Sequence, residues 1–266
     1  MKILLHVTLI VAILEVLFAM IISFVSRIGP LGEEVIAACT RAPMLDFILG
    51  VFTWIPWIVV GLPLGWRGLI GTVLGQIIAL HVWVALHEAV YRKAVKGPRI
   101  VKFINRTVGR WQNHVALWIT AVAFPGFLFI RLMEVALYPL LVKLLRFPKY
   151  NQSEWVNVSR QKFDGLVGHD LIWCLYCDWM TGVYSLGTEM LRNVESFWCP
   201  IRFYDGKKCE NCREFFPDID AGWVPAHATM QDVENKMQDM YGGDGDRSWF
   251  NHPVRLTVNG KPSTPA

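Results

Sequence analysis

Long apolar blocks alternate with short polar links along the chain, and four of the blocks are long enough to cross a bilayer. A hydrocarbon core about 30 Å thick needs about 20 apolar residues in a helix. Residues 3–25, 44–64, 69–90 and 114–142 meet that length. The first block follows a single lysine and outruns the ~7–15 apolar residues of a signal-peptide core, so it reads as a retained helix. The second contains Pro56 and Pro63, which membrane helices tolerate better than soluble ones. The link Pro63-Leu64-Gly65-Trp66-Arg67-Gly68 is so short that the second and third blocks should form a hairpin. Pro125-Gly126 falls near the middle of the fourth and predicts a kink there.

Between the third and fourth blocks, residues 88–113 carry Arg92, Lys93, Lys96, Arg99, Lys102, Arg106 and Arg110. Basic residues in short loops stay cytoplasmic, so this loop is expected inside, resting against anionic lipid rather than nucleic acid, for which no recognition helix or stacking motif is present. A complete fourth span then puts the C-terminal part outside the cytoplasm, the expected arrangement. A re-entrant turn at Pro125-Gly126, favoured by Lys143, Arg146 and Lys149, would instead leave it inside.

Charge divides the chain. Residues 1–150 carry 15 Lys and Arg against 6 Asp and Glu, a net +9; residues 151–266 carry 11 against 16, a net −5. With 53% hydrophobic and 18% charged residues, the composition excludes a disordered or collagen-like chain and an ordinary soluble enzyme. The expectation is a mainly α protein of two domains. Residues 1–150 form a multi-pass membrane helical bundle of about four transmembrane helices, and 151–266 a small cysteine-rich domain at the membrane surface. The cell (inner) membrane is the expected location.

Ionisable residues at membrane depth are functional candidates by default. They are His6 and Glu15 in the first block, His81, His87 and Glu88 in the third, and Arg131 and Glu134 in the fourth. Arg131 and Glu134 stand three apart and can pair on one helical face. Embedded histidines suit haem, but no second histidine matches His81 in depth, so interhelical hydrogen bonding is the plainer reading.

Five of the six cysteines lie in the second half: Cys174, Cys177, Cys199, Cys209 and Cys212. Two CxxC pairs separated by 31 residues match the spacing at which thiolates from two tight turns share one tetrahedral zinc. The four-cysteine set Cys174, Cys177, Cys209 and Cys212 is one arrangement. Cys199, Cys209 and Cys212 with His227 is another, leaving Cys174 and Cys177 as thiols on a helix beside Asp178. Disulfides compete if this part is extracytoplasmic, and an iron–sulfur cluster or redox-active thiols rank lower. Thr229 to Tyr241 has helical spacing, and Val254 to Val258 suits a short strand ended by Asn259-Gly260.

The chain carries no Walker loop, GxGxxG, GxSxG or HExxH motif. The leading expectation is an accessory, scaffold or assembly subunit of a larger membrane complex, its partners being the bilayer and other membrane subunits, with a structural zinc in the cysteine-rich part. A membrane redox protein using the CxxC thiols is the alternative, and a small transporter with a polar pathway through Glu15, His81, Arg131 and Glu134 ranks third.

Overall fold

A computed structural model describes residues 2–202, 222–243, 245, 247, 257–258 and 261–262. The protein is mainly helical. Among the described residues, three helical runs are long and apolar enough to cross a membrane: Lys2–Val25, Trp54–Val90 and Arg110–Leu145. The chain forms two compact units, each assembled from two stretches: residues 1–123 with 156–182, and 124–155 with 183–266. The composition break near residue 150 falls inside the second unit.

In the first unit, α1 (Lys2–Val25) packs along α4 (Gly65–Val90), and small residues decide the contact. Gly68, Gly71, Thr72, Gly75 and Ala79 make a buried stripe on α4. A Cβ on Gly71 would lie 2.9 Å from the Leu4 carbonyl oxygen, and one on Gly75 2.8 Å from that of Thr8. Small residues four apart let membrane helices approach at backbone distance, where packing and polar contacts replace the missing hydrophobic drive. Thr8 Oγ1 donates to the Gly71 carbonyl at 3.1 Å across this seam. The register climbs in the same sense on both helices, from Leu4 beside Gly71 to Thr8 beside Gly75, so α1 and α4 run parallel.

Two parallel helices need a return leg between them, and residues 44–64 supply it. α3 (Met44–Phe52) ends at Thr53, whose φ of −133° and ψ of −92° break the helix. An α turn (Trp54–Pro56), a π turn (Trp57–Gly61) and a 3-10 turn (Leu62–Leu64) follow. Gly65, at φ +67°, then reverses the chain in a conformation that a side chain would strain. Gln76 proves the reversal: its Nε2 donates to the carbonyls of Phe52 at 3.1 Å and Thr53 at 2.7 Å, and its Oε1 accepts from the Trp57 indole at 2.6 Å. The run Trp54–Val90 is therefore a hairpin rather than one straight rod, as the short link at Gly65 predicts, with the expected third block in its second leg and the end of the expected second block in its first.

The basic stretch is ordered. It forms α5 (Arg92–Lys96) and α6 (Ile100–Val108), then enters α7 (Arg110–Ala121). The helix stops at Val122–Ala123, just before Phe124-Pro125, because proline's ring clashes with the carbonyl four residues earlier. Residues 156–158 pair with 40–42, Ala42 N donating to Val156 O and Val158 N to Thr40 O, each at 2.9 Å.

In the second unit, α8 (Phe124–Leu132), a π turn (Met133–Leu137) and α9 (Tyr138–Leu145) end at Arg146 in the left-handed conformation. Phe147 is buried against Phe197 and Trp198. The 31-residue helix α11 (Gly168–Trp198) gives its first half to one unit and its second to the other. α12 (Met230–Tyr241) begins with a capping box, Thr229 and Asp232 satisfying each other's backbone N–H. Thr257–Val258 pairs antiparallel with Lys261–Pro262.

Candidate functional site: a buried ionic clamp at Arg99

A buried polar constellation in the first unit joins three stretches far apart in sequence. Arg99 precedes α6, Glu88 closes α4, and Asp170 sits in the first turn of α11. Arg99 Nη2 meets Glu88 Oε1 at 2.8 Å, and its Nε meets Asp170 Oδ2 at 2.9 Å. The side chains are 6%, 25% and 5% exposed for Arg99, Glu88 and Asp170. Arg99 Nη2 also donates to the Val167 carbonyl at 3.2 Å, and Val101 N donates to Asp170 Oδ1 at 3.0 Å. Burial works against the guanidinium charge, but the bonds to Glu88 and Asp170 outweigh it and hold Arg99 above the ordinary guanidinium range.

The same residues start α11. Gly168 N donates to His87 Nδ1 at 3.1 Å and His169 N to Glu88 Oε1 at 3.2 Å. The first amides of a helix have no intrahelical partner, and its positive end favours anions. Glu88 and His87 thus cap α11 from another helix, and Asp170 lies where a carboxylate is most favourable. Gly168, at φ +54°, must be glycine, since a Cβ there would collide with the Glu88 side chain.

Aromatic rings surround the clamp. His87 stacks between Trp83 and Tyr91, with centroids 4.7 Å from each. Trp173 donates to His169 Nε2 at 3.2 Å, a bond that needs the neutral ring, and burial holds the His169 pKa below its ordinary value. Trp118 meets Trp173 edge-on at 6.0 Å and stacks on His81 at 6.1 Å. The expected polar residues of the first unit fall into different roles. His6 and His81 each contact a backbone carbonyl of their own helix, at 2.7 Å. Glu15 lies buried on the α1–α4 seam.

Arg131 and Glu134 belong to the second unit and form the expected pair, Nη1 to Oε2 at 2.6 Å, with Gln152 Oε1 accepting from Arg131 Nη2 at 2.9 Å. Nearby in that unit, Asn193 Nδ2 reaches the hydroxyls of Tyr150 at 2.6 Å and Tyr138 at 3.3 Å. Burial raises the Tyr150 pKa. Tyr241, against Phe197 at 5.0 Å, is pushed up to about 12, also by burial.

Cys174 and Cys177 lie on α11, three apart on a continuous helix rather than in a tight turn. Both are free thiols, Cys174 half-buried and Cys177 exposed, and burial pushes the Cys174 thiol up, away from thiolate reactivity. Cys199 is a free, exposed thiol just after α11, and His227 is exposed in a turn. Cys209 and Cys212 lie outside the described residues. Among the described residues, no group of three or more His, Cys, Asp or Glu side chains is placed to hold a metal ion, so the structure lends the cysteine-rich metal domain no support.

Two features escaped sequence reasoning. The Gly71-xxx-Gly75 pattern was legible as a close-packing signal. Arg99 was one of seven basic residues in its loop, and nothing in its neighbourhood singled it out. Comparison with protein-family models, with curated proteins and with solved structures finds no match.

Proposed function

We propose that the protein is an integral membrane accessory or assembly subunit whose first unit holds an amphipathic basic helix at one end of its membrane helices for use as a docking element. The observation that carries this reading is the Arg99 clamp. It buries three charges and satisfies them with one another and with the start of α11, as a structural joint does. What it fixes in place is α6 with the start of α7. Ile100, Phe103, Val108 and Trp111 face outward there, Trp111 being 73% exposed. Lys102 and Arg106 occupy the opposite side of α6. Apolar residues opposite basic ones suit a helix lying at a membrane interface or against another membrane subunit.

The clamp also bears on sidedness. Residues 167–170 meet Arg99 and Glu88 at one end of the first unit. With the basic stretch cytoplasmic by the positive-inside rule, this proposal places 167–170 on the cytoplasmic side too.

Purification of the full chain in mild detergent tests the reading. The expected result is co-purification with other membrane subunits at fixed stoichiometry, lost on Phe103→Ser with Trp111→Ser while the fold survives. A monodisperse chain free of partners under conditions that preserve native membrane complexes would overturn it.

A further inference from the structure

Glu15 carries a feature that neither the clamp nor a docking role explains. It sits midway along α1, 6% exposed, on the face that packs against α4. At 1.5 Å per residue it is roughly 20 Å from one end of the helix and 15 Å from the other, so in a spanning helix it lies near the bilayer centre. Its Oε1 is fully buried and has no hydrogen-bond partner. The Gln76 amide lies beside the carboxyl. Gln76 in turn binds the carbonyls of Phe52 and Thr53, at the point where the return leg breaks its helix.

The elements around α1 place no cation beside Glu15. Their titratable groups are Glu33, Glu34 and Cys39 on α2 (Pro30–Cys39), Asp46 on α3, and Arg67, His81, His87 and Glu88 on α4; Arg67 opens α4 nine residues before Gln76, and among the described residues none of these bonds Glu15. A bare carboxylate at this depth, with one oxygen unsatisfied, is strongly disfavoured. In transporters, unwound backbone carbonyls at interrupted helices coordinate sodium or protons, and here the interrupted return leg is one side chain, Gln76, away from the Glu15 carboxyl.

We propose that Glu15 is a reversible binding site for a small monovalent cation, a proton or sodium, at the middle of the α1–α4 seam beside the broken return leg. As a proton site it cycles between carboxylate and carboxylic acid. As a sodium site it supplies the one anionic ligand, with neutral oxygens nearby completing the shell.

The test uses the full chain in lipid nanodiscs treated with dicyclohexylcarbodiimide. This hydrophobic reagent adds only to a protonated carboxyl: the acid proton moves to one carbodiimide nitrogen, the carboxyl oxygen bonds to the central carbon, and acyl migration leaves a stable N-acylurea. Peptide mass mapping should find the adduct on Glu15, forming about tenfold more slowly per pH unit on the alkaline side of its titration. Glu134, paired with Arg131 at 2.6 Å, should stay unmodified. At fixed pH in a choline buffer, protection by added sodium identifies sodium as the ion, and indifference to sodium with retained pH dependence identifies the proton. Infrared difference spectra of the parent and Glu15→Gln proteins give a second readout, a protonated-carboxyl C=O band present only in the parent. Modification that ignores both pH and sodium would mark a permanently protonated structural carboxyl and overturn the proposal. Absence of both the adduct and the infrared band at every pH would overturn it as well.

Discussion

Replacing Arg99 by methionine isolates the clamp, because methionine keeps much of the side chain's length and apolar stem while removing the charge. Three bonds are lost: to Glu88 Oε1 at 2.8 Å, to Asp170 Oδ2 at 2.9 Å and to the Val167 carbonyl at 3.2 Å. Two carboxylates stay behind, one 5% and one 25% exposed, facing each other with no cation between them. Removing one partner of a buried ion pair costs about 3–5 kcal/mol, because the remaining charge is left uncompensated. For a chain of this size each kcal/mol moves the unfolding midpoint by about 2–4 °C, so the loss should be on the order of 10 °C. A thiol-reactive dye reports unfolding in detergent, since Cys39 and Cys174 are half-buried when folded. Adding Asp170→Asn to the Arg99→Met chain removes one orphaned charge and should recover part of the loss, whereas Asp170→Asn alone should destabilise. Lys93→Met removes an exposed charge from the same stretch and should stay within about 0.5 kcal/mol of the parent. A midpoint for Arg99→Met within ~2 °C of the parent would refute the idea that this triad fastens the first unit.

Gly75→Leu should force α1 away from α4 and lower stability sharply, because its Cβ would already lie 2.8 Å from the Thr8 carbonyl and 2.9 Å from Val11 Cβ. Gly126→Ala, in open space on α8, should be neutral or stabilising by up to about 1 kcal/mol, and thermal unfolding of the pair checks both. The His169 pKa is depressed in the folded protein, so the unfolded chain takes up that proton first. Stability should therefore hold above pH of about 6.5 and fall as the pH drops below it, and His169→Gln should flatten that part of the midpoint-against-pH curve. Cysteines introduced at Asp164 and at Lys93 into a cysteine-free chain should react with an impermeant maleimide from the same face of sealed vesicles; reaction from opposite faces would overturn the shared sidedness of the clamp's stretches of chain.

What the sequence revealed, and what it concealed, follows the range of the interactions. The reversal at Gly65 was legible because a six-residue link containing two glycines leaves two apolar blocks no other course. The Arg131–Glu134 pair and the Thr229–Asp232 capping box lie three residues apart, a distance that helical geometry alone converts into contact. The same three-residue spacing misdirects at Cys174 and Cys177, since it suits a metal knuckle and a helix face equally. The aromatic, apolar stretch around the pair settles the matter locally as helix. Arg99 was illegible for the opposite reason. Its partners stand 11 and 71 residues away, and only the packing of α4, α6 and α11 brings them together. A basic residue that anchors topology and one that neutralises two buried carboxylates are identical in a linear reading, and six of the seven in this loop gave no reason to treat the seventh differently. The difference lies in Glu88 and Asp170: each is an acid bordering an apolar stretch in a chain that keeps few acids there, and each needs a cation. In a membrane protein, an acidic residue at the margin of an apolar block therefore predicts that one of the nearby basic residues is engaged internally, and the number of such acids bounds how many basic charges remain to face lipid.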